Sequence, residues 1–174
     1  MRKFTHREVC EIGARFLFNN EGGWKFFPYY TYVAIEPTST FKEKPDVFAF
    51  NFGTSCVLEA KTSLSDFYAD LKKPFRINED EGVGEDRYYI CPYGLIPPDK
   101  LPDKWGLLYI REDGGVDLVK YSGSFKSNAK GERALFHYIL RKEKIKNQIF
   151  NYKKEVNEIK STNNNLLSDI NISY

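Results

Sequence analysis

The sequence has little of the residue types on which disulfide, zinc and histidine chemistry depend. Its three cysteines, Cys10, Cys56 and Cys91, are widely spaced and form no C-x-x-C pair. This argues against a disulfide framework and against a zinc site, and it suits a reducing cytosol. The two histidines, His6 and His137, have no partner pattern, so a nuclease or hydrolase built on histidine is disfavoured.

A strong charge of one sign and long apolar runs are also absent. The formal net charge is only +2, so any basic surface for nucleic acid has to be local. No stretch approaches the roughly 18 apolar residues that a membrane span needs. The polar start of the chain lacks the apolar run of a signal peptide. We therefore expect a cytoplasmic protein with no membrane partner.

The most informative stretch is 44–61, which predicts two short strands joined by a turn. The first strand opens with a Pro-Asp pair that ends at Asp46, and the second closes with Glu59-Ala60-Lys61. Side chains alternate along a strand, so Glu59 and Lys61 point to one face and Ala60 to the other. If the strands pair, Asp46 and Glu59 converge at one end of the hairpin, with Lys61 beside them.

Two carboxylates and an amine at one point suit hydrolysis of a phosphodiester, which needs a metal to acidify a water and neutralise developing charge. Mg²⁺ takes hard oxygen ligands and keeps several waters, so Asp46, Glu59 and the backbone carbonyl of Ala60 would suffice for Mg²⁺ or Mn²⁺. Lys61 can align the attacking water or help to deprotonate it. Three further acidic residues can complete the site: Glu8, Glu11 and Glu36.

A structural ion pair is the alternative interpretation of Glu59 and Lys61. Glu-x-Lys is common in a charged chain, and a second copy occupies 158–160. The context differs, because Glu59 and Lys61 end an apolar strand, where charges are costly unless they are paired or ligating. This context favours the metal site.

The rest of the chain predicts a mixed α/β domain in the order helix, three strands, helix, strand, hairpin and long helix. Thr5 and Glu8 fit a capping box that begins the first helix, and Ser63 or Ser65 can cap the second. The expected helices span about 5–18, 66–73 and 131–160. The expected strands span about 24–35, 46–51, 56–61 and 87–91, and 105–111 with 116–121 form the expected hairpin.

The last helix is expected to pack against its own domain or to form a homodimer. Its apolar positions follow the four-three-four-three spacing of coiled coils at Ile145, Ile149, Tyr152, Val156 and Ile159. The Asn- and Ser-rich residues after it are expected to be a flexible tail. The predicted organisation is a nuclease-like domain over 1–130, a C-terminal helix over 131–160 and a tail over 161–174.

The Pro-Asp pair ending at Asp46, followed by Glu59-Ala60-Lys61 at the end of the next strand, resembles the signature of the PD-(D/E)XK nuclease superfamily. The element order up to about residue 91 is similar to its restriction-endonuclease-like core, with an added C-terminal hairpin and long helix. The segments 61–76, 87–92 and 105–109 look like the small MmcB-like and phage-encoded branch, which is associated with DNA repair.

The resemblance implies a Mg²⁺- or Mn²⁺-dependent endo- or exodeoxyribonuclease acting in repair, recombination or phage–host conflict. Asp46 and Glu59 would be metal ligands and Lys61 the catalytic lysine. Glu8 is similar to an acidic residue on the first helix of many members, although the capping box explains it equally well. At 174 residues, a structure-selective or low-specificity enzyme is favoured over a sequence-specific one.

DNA is the expected partner, and its phosphates would be contacted by local cations: Lys44, Lys72, Lys73, Arg76 and Arg87. For each of these residues, an ordinary solvated surface is the alternative. A different class of function also remains open, in which the nuclease-like fold is catalytically silent and binds DNA or protein as an inhibitor or assembly factor. The intact motif counts against that class.

Overall fold

The computed structural model describes residues 2–19 and 30–145. Its elements in chain order are α1 (His6–Phe18), β1 (Tyr32–Ile35), β2 (Val47–Phe50), β3 (Ser55–Ala60), α2 (Leu64–Asp70), α3 (Pro74–Ile77), β4 (Asp86–Pro92), β5 (Gly106–Ile110), β6 (Val116–Lys120) and α4 (Ala129–Lys142). Short 3₁₀ turns lie at Glu79–Glu81 and Pro98–Lys100. The expected mixed α/β class is confirmed.

The strands form one mixed sheet in the spatial order β1-β2-β3-β4-β5-β6. Strands β1, β2 and β3 pair antiparallel, β3, β4 and β5 pair parallel, and β5 and β6 form an antiparallel hairpin. The parallel step from β3 to β4 requires a crossover, which α2 and α3 supply. All residues of β3 and β5 are buried, as expected for inner strands covered on both faces.

Alternation along the strands divides the core between the two faces of the sheet. In β4, Tyr88 and Ile90 belong to the core that α1 covers, together with Leu58 of β3. Tyr89 and its neighbour Cys91 belong to a second core, with Phe67 of α2. Because the side-chain period of a strand is two, Glu59 lies on the same face as Tyr89, its register partner on β4.

The capping box at the start of α1 is confirmed. The Thr5 hydroxyl accepts a hydrogen bond from the Glu8 backbone N–H, and the Glu8 carboxylate accepts one from the Thr5 backbone N–H. Helix α1 then buries Val9, Ile12 and Phe16 against the sheet. The spacing of these residues follows the helical period, which is why the sequence located this helix correctly.

Helix α4 is part of the main body of the protein. Leu135 is fully buried with Phe48 and Val57 of the sheet, and the Phe136 ring lies 4.7 Å from the Phe50 ring. A methyl group at Gly131 would lie 2.5 Å from the Phe41 ring, so this position requires the close approach that glycine permits. Residues Met1–Lys142 form one compact unit, and this unit includes α4.

The predicted continuity of the last helix beyond Lys142 is wrong, because α4 ends at that residue. Glu143 and Lys144 form a turn, and Lys144 has a left-handed backbone with a φ of 62°. Ile145, the first residue of the predicted apolar stripe, therefore follows the helix. The rest of the stripe and the predicted tail lie outside the described residues.

Two other boundaries differ from the sequence prediction. The strand expected from Trp24 is described only as Tyr32–Ile35, since 20–29 lie outside the described residues. Pro74, expected only to terminate the second helix, also opens α3, because its fixed φ suits a first helical position. In 2–19 and 30–145, none of the helices has the length and apolar character needed to cross a membrane.

Truncating Leu135 tests whether α4 belongs to the folded unit. We expect Leu135→Ala to lower the free energy of unfolding by about 2–5 kcal/mol, because it leaves a cavity under the helix. The matched control is Leu140→Ala, on the same helix at a side chain that is 47% exposed, where we expect less than about 0.5 kcal/mol. Urea unfolding measures both. Equal stabilities would contradict the packing of α4 described above.

Candidate functional site

The β2–β3 hairpin brings Asp46 and Glu59 to the same end of the sheet. Its turn is held by the Asn51 side chain, which accepts hydrogen bonds from the N–H groups of Gly53 and Thr54. Val47 pairs with Leu58, so Asp46 and Glu59 are the next residues along the two strands. The Asp46 carboxylate accepts a 2.8 Å hydrogen bond from the Ala60 N–H, which ties it to the end of β3.

Lys61 lies beside Glu59 and is buried with it. The two side chains are 4% and 3% exposed, and Lys61 Nζ lies 3.5 Å from Glu59 Oε2. Two carboxylates of α2 approach the same ammonium group, Asp70 at 3.6 Å and Asp66 at 3.7 Å. The predicted grouping of Glu59 and Lys61 on one face is therefore confirmed, and α2 completes it.

Arg76 is the second buried cation of the site. Its guanidinium contacts Glu43, lies 2.8 Å from Glu59 Oε1 and donates a 2.8 Å hydrogen bond to Asp70 Oδ2. The Asp70 carboxylate also accepts a 2.8 Å hydrogen bond from the Tyr89 hydroxyl. We refer to five residues as the buried charge cluster: Glu43, Glu59, Lys61, Asp70 and Arg76.

The predicted surface role of Arg76 and Arg87 is wrong. The Arg76 side chain is 1% exposed, because ion pairs with carboxylates allow it to be buried. Arg87 is equally buried, and its guanidinium donates hydrogen bonds to the carbonyls of Gly84, Glu79 and Gly82. Neither guanidinium lies at the exposed surface where the sequence prediction placed it.

The three predicted lysines lie nearer the surface. Lys44 and Lys72 are exposed. Lys73 is partly exposed and extends its Nζ to within 2.5 Å of Asp70 Oδ1. These positions leave the lysines accessible, with Lys73 at the edge of the buried charge cluster.

Two of the other predicted acidic ligands, Glu8 and Glu11, are occupied elsewhere. Glu8 accepts from the Thr5 N–H and hydroxyl with one oxygen and from Arg2 with the other, and the backbone hydrogen bond is the main reason its pKa is lowered. Glu8 therefore has the capping role and not the predicted metal-binding one. Glu11 pairs with Arg7 at 2.8 Å. The Ser63 hydroxyl caps α2, as expected.

Sequence reasoning missed the residues near the second carboxylate oxygen of Asp46, the one that does not contact Ala60. Asp46 Oδ1 lies 3.3 Å from His6 Nε2. The same nitrogen lies 3.5 Å from Cys10 Sγ and 3.9 Å from Glu36 Oε1. His6 and Cys10 are four residues apart, so they lie on one face of α1. That spacing is a signal in the sequence, but nothing in it indicates that Asp46 lies opposite.

The pKa values of the site follow from burial and from the excess of carboxylates. Burial raises the pKa of Glu59 to about 7, with Asp46 and Asp70 adding to the increase and Arg76 and Lys61 opposing it. Burial alone would lower the pKa of Lys61, but the carboxylates of Glu59 and Asp70 outweigh it and the pKa is raised. Lys61 therefore remains protonated at neutral pH.

The charge balance fits a divalent cation. Five carboxyl groups surround three cations, with Glu43, Asp46, Glu59, Asp66 and Asp70 on one side and Lys61, Lys73 and Arg76 on the other. A cation at Asp46 and Glu59 would offset the surplus negative charge and favour the ionised form of Glu59. The carboxylate donor set is the type that Mg²⁺ and Mn²⁺ take.

An open cleft adjoins this end of the sheet. It has a volume of about 680 Å³, and its lining includes Thr62, the residue directly after Lys61. Its lining combines the cations Arg2 and Lys3 with the aromatic rings of Phe4 and Tyr93. Arg2 pairs with Glu8 and lies over the buried Phe4 ring, so Lys3 and Tyr93 are the exposed groups of this lining that could contact a phosphate or an unstacked base.

No protein-family model and no curated protein matches this chain. The fold is similar to a solved structure, the SPO1766 protein of unknown function from Silicibacter pomeroyi. The TM-score is 0.56 at 16% sequence identity, and the match covers 86% of this chain and 100% of that chain. At this identity the likeness concerns the fold alone, a mixed α/β sheet flanked by helices.

The raised pKa of Glu59 predicts a specific pH dependence of stability. Between its ordinary value of 4.5 and the folded value of about 7, the folded protein holds a proton that the unfolded chain has lost. Stability therefore falls as pH rises through this window. Relative to Glu59→Gln, the wild type should lose up to about 1.4 kcal/mol of unfolding free energy per pH unit.

Urea unfolding at several pH values, with a chelator present, measures this difference. The exposed Glu143 provides the control, since Glu143→Gln should leave the slope of the wild type unchanged. A wild type whose stability runs parallel to that of Glu59→Gln across the window would contradict the buried, proton-binding state of Glu59.

Proposed function

We propose that the protein is a metal-dependent deoxyribonuclease that hydrolyses phosphodiester bonds, with a site of the PD-(D/E)XK type. The observation that carries the proposal is the meeting of three motif side chains at one end of the sheet. Asp46 is hydrogen-bonded to the end of β3, and Glu59 on that strand lies against the buried ammonium group of Lys61. The order of α1, three antiparallel strands, α2 and a parallel β4 supports a restriction-endonuclease-like core.

Asp46 and Glu59 are the residues that would hold Mg²⁺ or Mn²⁺, with the Ala60 carbonyl as a further ligand. Bound there, the metal supplies an acidified water and charge stabilisation for the phosphoryl transfer. The chain's own contribution is the fixed placement of these groups, because the hydrogen bond to Ala60 and the contact with Lys61 restrict both carboxylates. Pre-positioned charge of this kind lowers the barrier without reorganisation during the reaction.

Lys61 is best suited to donate hydrogen bonds. Its ammonium group is stabilised by the surrounding carboxylates, so its pKa is raised and it does not serve as a general base at neutral pH. A protonated amine beside the scissile phosphate orients the attacking water and stabilises charge on the phosphoryl oxygens. Of the two roles expected for Lys61, alignment is therefore favoured over deprotonation.

DNA would approach over the exposed lysines and the cleft. Lys44 comes two residues before Asp46, and Lys73 contacts Asp70 at the edge of the buried charge cluster. Phosphate contacts by such lysines position a nucleic acid without reading its sequence. We therefore favour a structure-selective or low-specificity enzyme, in repair, recombination or phage–host conflict.

One observation favours a second candidate, a catalytically silent module that binds DNA or protein. Both oxygens of Glu59 already have cationic partners, Arg76 at 2.8 Å and Lys61 at 3.5 Å. A metal would have to compete with Arg76 for this carboxylate. If Arg76 remains bound to the Glu59 carboxylate, the fold is retained and the hydrolytic site is not formed.

Cleavage of DNA by the purified protein tests the two candidates. Linear, nicked, single-stranded and branched DNA are incubated with Mg²⁺, with Mn²⁺ and with a chelator. We expect cleavage that depends on the metal and that falls by about 100-fold or more in Lys61→Met, since an electrostatic group of the transition state is lost. Asp46→Asn should lose activity to a similar extent, and it alters a side chain that is only partly buried.

The matched control is Lys130→Met, the same substitution at an exposed lysine on α4, which should cleave like the wild type. Thermal unfolding verifies that each variant is folded. Binding of DNA without cleavage under every condition would support the silent module. Cleavage that survives in both Lys61→Met and Asp46→Asn would place the activity elsewhere.

The salt dependence of DNA binding tests the role of the exposed lysines. Each phosphate contact contributes about 0.9 to the slope of log K against log salt, so Lys44→Ala with Lys72→Ala should reduce the slope by about 1–2. The control pair is Lys130→Ala with Lys142→Ala on α4. Fluorescence anisotropy in chelator measures all three proteins. An unchanged slope in the first pair would exclude these lysines from the DNA surface.

A further inference from the structure

Side chains from α1 and from the ends of β1 and β2 converge on one ring nitrogen of His6. The Nε2 atom lies 3.3 Å from Asp46 Oδ1, 3.5 Å from Cys10 Sγ and 3.9 Å from Glu36 Oε1. Suitable donor atoms of His6, Cys10 and Asp46 all lie within 4.8 Å of one another. Glu36 adds a second carboxylate.

Hydrogen bonding alone does not account for three groups around His6 Nε2. A histidine ring nitrogen carries either one proton or one lone pair, so Nε2 makes one good hydrogen bond at a time. The nearest oxygen, on Asp46, is 3.3 Å away, which is longer than the 2.7–3.2 Å of typical N–H···O bonds. Three groups therefore surround a nitrogen atom that can form a hydrogen bond with only one of them at a time.

Two of the separations from His6 Nε2 match the edges of a tetrahedral metal site. Metal–ligand bonds of about 2.0–2.3 Å place the ligand atoms of a tetrahedron about 3.3–3.7 Å apart. The Nε2–Oδ1 distance of 3.3 Å and the Nε2–Sγ distance of 3.5 Å fall in this range, and the 3.9 Å to Glu36 is slightly beyond it.

The backbone supports the approach of the fourth group. Glu36 has a φ of 48°, a left-handed conformation that costs a non-glycine residue energy. Its N–H donates a 2.7 Å hydrogen bond to the Asp46 carbonyl, which fixes Glu36 beside Asp46. The end of β1 is thus held in a strained turn that directs a carboxylate toward the His6 ring.

We propose that His6, Cys10 and Asp46, with Glu36 beside them, form a binding site for a borderline-soft divalent transition-metal ion, with Zn²⁺ as the type. The ligands would be His6 Nε2, Cys10 Sγ and one oxygen of Asp46, and Glu36 is the nearest further carboxylate. Metal binding converts the Cys10 thiol to a thiolate, and its proton goes to solvent. The thiolate and imidazole select against Mg²⁺, which takes oxygen ligands.

This site shares Asp46 with the proposed nuclease site but does not rest on nuclease activity. Its other ligands come from α1 and from the end of β1, away from the buried charge cluster. A metal here would tie α1 to the β1 and β2 ends and hold Asp46 from the side opposite Ala60. Binding can therefore be tested without DNA.

Co²⁺ provides the probe, because cobalt bound to a thiolate gives a charge-transfer absorption that cobalt bound only to oxygen and nitrogen lacks. The full chain, reduced and freed of metal, is titrated with Co²⁺ and then with Zn²⁺ or Mg²⁺. We expect the thiolate band to appear with one equivalent of Co²⁺. Zn²⁺ should abolish the band, and excess Mg²⁺ should not.

Cys10→Ser should remove the band, and Cys91→Ser, at a buried thiol in the other core, should keep it. His6→Gln changes a half-exposed side chain and should weaken Co²⁺ binding by at least about 10–100-fold, the loss found even for outer-shell partners. Glu143→Gln, at an exposed carboxylate outside both proposed sites, should bind Co²⁺ like the wild type. Absence of the band in the wild type, or its persistence in Cys10→Ser, would overturn the proposal.

Discussion

The guanidinium of Arg76 lies among the carboxylates of Glu43, Glu59 and Asp70 in a region closed to solvent. Each of these groups would be costly to bury alone, and removing one partner of such a pair typically costs about 3–5 kcal/mol. Arg76 belongs to α3, and its partners come from three other places: Glu43 from the segment before β2, Glu59 from β3 and Asp70 from α2. Their mutual neutralisation therefore holds these parts of the chain in one relative position, and the site at the end of the sheet depends on it.

The same burial determines the chemistry that the site can perform. Burial raises the pKa of Glu59 to about 7, and the carboxyl groups of Asp46 and Asp70 add to the increase. Carboxyl groups outnumber cations around Lys61, and this excess keeps the Lys61 amine protonated. A divalent cation would relieve the excess of negative charge, so metal affinity and the protonation of Glu59 are expected to be coupled. A site built in this way is sensitive to pH near neutrality.

Asp46 occupies the junction between two donor sets of different chemical character. On the β3 side its carboxylate accepts a hydrogen bond from Ala60, next to Glu59, the other carboxylate of the proposed Mg²⁺ site. On the α1 side it meets an imidazole and a thiol. Since hard and borderline-soft ions prefer different donors, the two proposed sites can share this carboxylate and still differ in the metal that they prefer.

The sequence by itself determined the local features of this protein. The capping box and apolar spacing located α1, and strand alternation placed Glu59 and Lys61 on one face, because these patterns depend on chemistry within a few residues. Only the tertiary structure decided the rest. Arg76 was predicted to be a surface cation, but Glu43, 33 residues earlier, is its buried partner. Likewise, Asp46 faces His6 and Cys10 only because α1 packs over the sheet, and contacts between distant segments leave no periodic signal along the chain.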